Sequence, residues 1–260
     1  MKGPLARWYR EHGRHDLPWR ATRDPWAVLV SEVMLQQTQV PRVAAAWPRF
    51  MEQFPTPQVM AAAGPAAVIA AWGRLGYPRR ARRLWDAAAR ITETGWPDDL
   101  TSLPGVGRYT ARALASQTDD VDVPAIEVNI RRVVERCVGS RLTDRAAEDA
   151  SVRLGAPLRG RDRLLALMDV GSVLCRPRSP RCTECPLRRR CATHGPLDHE
   201  AARPKQAKFA GSFRERRGKV MARLRAGPTP TGELDAEALA SLVDDGLAEA
   251  DGRTARLPHA

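Results

Sequence analysis

Four cysteines, Cys175, Cys182, Cys185 and Cys191, crowd into one short segment with the spacing C-x6-C-x2-C-x5-C. Four thiolates in a stretch this short can wrap one small cluster. Ligation by four cysteines suits a [4Fe–4S] cluster. The rival is zinc, but structural zinc held by four cysteines usually takes two C-x2-C knuckles separated by a longer loop. Only one C-x2-C is present here, which favours the cluster. The fifth cysteine, Cys137, falls on an apolar helical face and reads as a core residue. An odd cysteine count with four clustered argues for a metal centre in a reducing compartment, not a disulfide frame.

The rest of the chain reads as helix. Apolar residues recur at three- and four-residue spacing, as in Val28, Leu29, Val33 and Met34, or Val133, Val134 and Cys137. Pro and Gly cut this pattern into helices of roughly ten to fifteen residues. The formal net charge is +12 over 260 residues. A charge that large is self-repelling and calls for a polyanionic partner. Nucleic acid fits better than a membrane surface. The longest apolar stretch, Val59 to Trp72, is broken by Gly64 and Pro65 and is too short to span a bilayer. The charged N-terminus has no apolar h-region, so no signal peptide is expected. The expectation is a cytoplasmic monomer, nucleoid-associated in a bacterium.

Leu103-Pro104-Gly105-Val106-Gly107 opens LPGVGRYTARAL. Gly105 and Gly107 can take positive φ and let a backbone approach closely. The helix that follows offers free N–H groups and a positive dipole end, a place for a phosphate without side-chain charge. The bland alternative is an ordinary helix–turn–helix corner. Glu32 sits in PWAVLVSEVMLQQTQV, a helix with few other polar groups. An acid among apolar neighbours keeps a raised pKa and can hold a proton near neutral pH.

Taken together, the cysteine spacing, the hairpin and SEVMLQQTQV resemble the endonuclease III and MutY group of DNA glycosylases, over about residues 5 to 195. The resemblance implies an all-α helix-hairpin-helix glycosylase fold within 1–195. It divides into a six-helix barrel (22–128, hairpin 103–107) and a cluster domain (1–21 plus 129–195). Residues 196–212 then form a basic linker. Residues 213–260 show two helices and a short strand near Thr254 to Leu257, which fit a small winged-helix-like module. A helical tail packed on the core fits as well, and a repair-protein contact through this segment is a further expectation.

The resemblance also assigns roles. Glu32 maps to the proton donor, Gln36 and Gln37 to residues that probe the DNA stack, and Tyr77 to an intercalating wedge. Leu17-Pro18-Trp19-Arg20 matches a segment whose Trp lines the base pocket, and Trp19, Arg20, Leu103, Gly105 and Gly107 are expected at the DNA. Arg79, Arg80, Arg82 and Arg83 could follow phosphates. Arginines 176, 178, 181, 188, 189 and 190 crowd the cysteine loop, where the group's cluster orders a basic DNA-facing segment. Tyr109 holds the place of the lysine that forms a Schiff base in strand-cutting members; tyrosine cannot form an imine. Its alternative is simple packing under the hairpin.

Glycosidic cleavage needs a proton for the departing base and an anion for the oxocarbenium-like sugar. Glu127, in Ile126-Glu127-Val128-Asn129, stands where the group has aspartate, with Asn129 in the asparagine's place. The other reading of Glu127 is an i,i+4 ion pair with Arg131. Two further departures concern the substrate. Leu165 replaces a Gln or Glu that contacts the flipped adenine, and the tail is too short for a Nudix-like domain that reads 8-oxoguanine. The implied substrate is duplex DNA with a mismatch or lesion: adenine opposite 8-oxoguanine or guanine. Thymine or uracil opposite guanine is the alternative, and a non-catalytic iron–sulfur DNA sensor the reading of another class.

Overall fold

The computed structural model describes residues 3–198, 200 and 208–259. Positions 199 and 201–207 of the expected linker, and residues 1, 2 and 260, lie outside the described residues. The chain divides into two compact units, Met1–Val28 with Gly107–Pro204 and Leu29–Val106 with Lys205–Ala260.

In the first unit α1 (Pro4–His12) is joined by α6 (Arg108–Thr118), α7 (Val128–Val138), α8 (Asp144–Gly155) and α9 (Gly160–Asp169). Their shared core gathers Leu5, Tyr9, Ala113, Ile130, Val133, Val134, Leu164 and Leu167. On α7 the apolar positions Ile130, Val133, Val134 and Cys137 recur at three- and four-residue spacing, as the periodicity predicts, and Arg132, Glu135 and Arg136 are buried between them. Burying each such aliphatic side chain stabilises the fold by roughly 1.5–3 kcal/mol. At its C-terminal end α9 widens into a π-helical turn, Val170–Leu174, which delivers the chain to Cys175. Such turns often mark functional positions.

Helix α2 (Pro25–Leu35) is capped by Asp24, whose carboxylate accepts from the Trp26 and Ala27 amides. Every residue from Trp26 to Met34 is buried, so this helix is enclosed on all sides. In the second unit it leads to α3 (Val40–Gln53), α4 (Pro57–Trp72) and α5 (Arg79–Thr94). Helix α4 bends at Gly64, whose φ is 79°, because Pro65 has no amide to continue the ladder.

The C-terminal segment belongs to this unit too. It comprises α10 (Phe213–Ala226), β1 (Thr229–Pro230), α11 (Ala236–Asp244), β2 (Glu249–Ala250) and β3 (Thr254–Arg256). The strands form an antiparallel sheet in the order β1-β3-β2. The result is a module of two helices and a small three-stranded sheet, not a purely helical tail. Strand β1 escapes sequence analysis because it is two residues long and ends in proline, which is tolerated at an edge. The module is tied to the helices beside it. Arg225 donates to the Ile69 carbonyl at 3.3 Å, Arg82 to the Gly246 carbonyl at 3.3 Å, and Arg79 pairs with Asp245. No helix among the described residues is long and apolar enough to cross a membrane.

Candidate active site

Glu127 is the N-cap of α7. Its carboxylate accepts from the Asn129 amide at 2.7 Å, the Ile130 amide at 2.8 Å and Nδ2 of Asn129 at 2.8 Å. The opening amides of a helix have no intrahelical partner, and an acidic side chain there satisfies them. Burial pushes the Glu127 carboxyl up from its ordinary value, against three hydrogen bonds that favour the charged form. The expected alternative, an ion pair with Arg131, does not form. Arg131 turns instead to Asp144, Glu135 and the Leu142 carbonyl.

A chain of contacts runs on from Asn129. Its Oδ1 accepts from Nη2 of Arg132 at 2.7 Å, and Arg132 also donates to the Gly171 carbonyl and the Cys175 carbonyl, each at 2.6 Å. Glycine is required at 171, since a Cβ there would lie 2.7 Å from the Asn129 Cβ and 2.8 Å from its carbonyl oxygen. Tyr109 is half-buried against the first unit's core, with its hydroxyl 4.0 Å from the Met168 sulfur. Leu165 is buried in that core, not presented to a ligand.

Cys175, Cys182, Cys185 and Cys191 line one cavity, closed on its apolar side by Val133, Val170 and Leu174. The four thiols share this one cavity. No three His, Cys, Asp or Glu side chains among the described residues approach closely enough to hold a single metal ion. An all-thiol donor set around an apolar-backed cavity fits a [4Fe–4S] cluster, and these four residues would hold it. Arg136 supports the first of them, donating to the Cys175 sulfur at 3.4 Å and to the carbonyls of Arg176 and Pro177. The six arginines of this segment are all exposed.

In the second unit Glu32 lies on enclosed α2 and is 6% exposed. Beyond it Gln36 donates to the Gly105 carbonyl at 3.4 Å, which joins the end of α2 to the hairpin turn. Gln37 is exposed and holds φ 57°. Tyr77 is 46% exposed and holds φ 49°. Left-handed backbone is costly for such residues and persists only where the surroundings enforce it, commonly at functional sites.

Arg80 does much of that enforcing. Its guanidinium donates to the carbonyls of Val33 and Met34 at 2.8 Å, to Gly76 at 2.9 Å, to Leu75 at 3.3 Å and to the Thr38 hydroxyl at 2.8 Å. It also lies over the rings of Trp72 and Tyr77. One buried cation thus fastens the helix of Glu32 to the loop of Tyr77. Burial pulls its pKa down to about 10, so it stays charged at neutral pH. The expectation that Arg80 follows phosphates is therefore corrected: it is a strut. Arg82 is likewise engaged within the protein, with Asp86 and the Gly246 carbonyl.

Other residues expected at the DNA are enclosed or engaged within the protein. Arg20 is enclosed and grips Asp169 through both terminal nitrogens at 2.7 and 2.8 Å, so it is spoken for inside the protein. The Leu103 side chain is 2% exposed, so the turn has backbone to offer there and not a side chain. Gly105 does take φ 80°, but Gly107 is extended (φ −92°, ψ 175°) and serves as the N-cap of α6. Trp19 is also buried, at 3% exposure.

The family described as HhH-GPD superfamily base excision DNA repair protein matches residues 30–155. An adenine DNA glycosylase of Mycolicibacterium smegmatis is 42% identical over 278 residues, covering 96% of this chain and 94% of its own. This chain belongs to the adenine DNA glycosylase family. The human adenine DNA glycosylase is 36% identical, covering 77% of this chain and 40% of its own length. Among solved structures, a thermostable thymine-DNA glycosylase superposes with a TM-score of 0.67 at 25% identity, covering 74% of this chain and 93% of that one. These relationships account for the helix-hairpin-helix fold. Within this member of the adenine DNA glycosylase family, Arg132 and Asp169 carry structural burdens that no local pattern marks. Each is one charged residue among several on a helix, and it reaches partners distant in sequence: Gly171 and Cys175 for Arg132, Arg14 and Arg20 for Asp169.

Proposed function

We propose that the chain removes adenine from mispaired DNA by hydrolysing the N-glycosidic bond and leaves the strand uncut. The observation that carries this reading is the 42% identity to an adenine DNA glycosylase across nearly the whole of both chains. The target nucleotide is extruded from the stack before chemistry. Glu32 gives a proton to the departing base, so that adenine leaves neutral. Glu127 faces the sugar as its C1′ becomes electron-poor, and Asn129 fixes the carboxylate's orientation. Water adds to C1′ and its proton passes to the Glu32 carboxylate, which restores the acid and leaves an abasic site. Strand cutting by imine formation needs an amine, and Tyr109 supplies none. Gln36, Gln37, Tyr77 and the backbone at Gly105 and Gly107 hold the bent duplex. A [4Fe–4S] cluster on the four cysteines supplies a rigid staple for the arginine-rich loop that meets the phosphates.

The test uses duplexes bearing adenine opposite 8-oxoguanine or guanine, and thymine or uracil opposite guanine, each followed by alkali. Cleavage in the adenine duplexes, appearing only after alkali, is expected. Cleavage only at thymine or uracil transfers the reading to a pyrimidine glycosylase. Binding without cleavage in any duplex leaves a sensor.

A further inference from the structure

The second unit contains a groove that, apart from Tyr77 on its rim, the reaction above does not use. One wall is the loop from Gly73 to Arg79; the other is α10 with the end of α11. Its volume is about 1160 Å³. Six cations line it (Arg74, Arg79, Arg214, Arg217, Lys219, Arg225) against two carboxylates, Glu215 and Asp245. The carboxylates are engaged within the protein. Asp245 takes Arg79 and Arg217, while Glu215 accepts from the Gly211 amide and meets Lys219 at 3.1 Å.

Three aromatic rings share the same groove. Phe209 is 59% exposed, Tyr77 46% and Phe213 36%. Exposed rings interleaved with cations suit single-stranded nucleic acid, because bases stack on the rings while phosphates meet the cations. The face of α10 has the matching relief. Arg214, Gly218, Ala222 and Arg225 recur at helical spacing on one side. A Cβ added at Gly218 would meet nothing within 4 Å, so the middle of this face is shallow between two arginines.

We propose that this groove is a second DNA site, binding the strand that passes Tyr77. Phosphodiesters rest on Arg74, Arg214 and Lys219, and an unpaired base stacks on Phe213. The proposal rests on the reading of Tyr77 as the wedge, which would leave an unpaired base beside this wall.

The test measures affinity of the full, cluster-loaded protein by fluorescence anisotropy. The probes are a matched duplex and one carrying a single unpaired base, between about 50 and 200 mM salt. Arg214→Ala and Lys219→Ala should each flatten the slope of log K against log salt by about 0.9. Arg223→Ala removes the same charge from outside the groove, where Arg223 pairs with Glu233, and should leave the slope alone. Phe213→Ala should weaken binding to the unpaired-base duplex by about 5- to 150-fold, sparing the matched duplex, and Phe213→Tyr should restore it. Equal slopes for Arg214→Ala and Arg223→Ala, equal losses on both duplexes, or no rescue by tyrosine would overturn the proposal. Wild-type protein that excises no adenine would refute the glycosylase reading and leave these slopes to be judged separately.

Discussion

Arg132 donates from Nε to the carbonyl oxygen of Cys175 at 2.6 Å. The same guanidinium holds Oδ1 of Asn129, whose amide group holds Glu127. The first cysteine of the metal loop is therefore three hydrogen-bonded steps from the carboxylate assigned to the sugar. Arg132→Gln should misplace Asn129 and Glu127 together. Displacement of about 1 Å can cost 10²-fold in rate. Single-turnover excision should fall by about that factor, while absorbance of the metal centre persists; an unaltered rate would detach the two features.

Glu127 titrates above its ordinary value because it is buried. A carboxylate that steadies a cation works only when ionised, so excision should decline as pH falls through this raised pKa. The acid limb of the single-turnover profile should stand above 4.5, the ordinary value for glutamate. The stability consequence has the opposite slope. A raised carboxylate pKa means the native state binds its proton more tightly than the unfolded state, so stability is lost as pH rises from the unfolded value through the folded one. Glu127→Gln should abolish excision, retain DNA binding and erase this part of the pH dependence in urea titrations.

Asp169 has no solvent exposure and is held by Arg14 and Arg20. Desolvation pushes its carboxyl upward, but the Arg20 hydrogen bonds and both arginine charges outweigh it and hold it below its ordinary value. Its contribution is present above pH 3.8 and is lost as pH falls through the depressed folded value. Asp169→Asn should destabilise by about 3–5 kcal/mol, since breaking one side of a buried pair strands the other. Urea unfolding near neutral pH measures it.

Removing Arg80 takes a donor from four backbone carbonyls and the Thr38 hydroxyl. Gly76 keeps the Trp72 indole and Leu75 keeps the Thr38 hydroxyl, while Val33, Met34 and Thr38 lose the donor Arg80 gives them. An unsatisfied buried acceptor costs about 1–3 kcal/mol, so Arg80→Ala should lose at least about 3 kcal/mol. Arg80→Lys should recover little, because one ammonium cannot reach acceptors spread as a planar fork does. Thermal melts of both variants, with Tyr77 quenching as a local probe, test this.

The features legible in the sequence were those written in short spacings. The cysteine loop, the Gly105 turn and the apolar run around Glu32 are each complete within one short stretch of chain, the longest being the 17 residues from Cys175 to Cys191. The tie of Arg20 to Asp169 is not legible because the two lie 149 positions apart, and no local pattern records such a pairing. Arg80 could not be singled out among Arg79, Arg82 and Arg83, which have the same chemistry and differ only in the direction they point. Glu127 offered two local partners. The free amides at the start of α7 prevailed over Arg131, because unpaired N–H groups two and three residues onward are nearer than a side chain one turn away. Residues at the start of a predicted helix deserve the capping interpretation before the ion-pair one.

The left-handed backbone at Gln37 and Tyr77 has a consequence for how the protein would bend a duplex. Both tips are already locked in their projecting geometry by the folded chain, so little further ordering entropy is lost when a helix is pressed against them. They would behave as fixed posts and not as fingers that curl on contact. Glycine at either position would relax the backbone and make the protein sturdier, yet blunt the instrument.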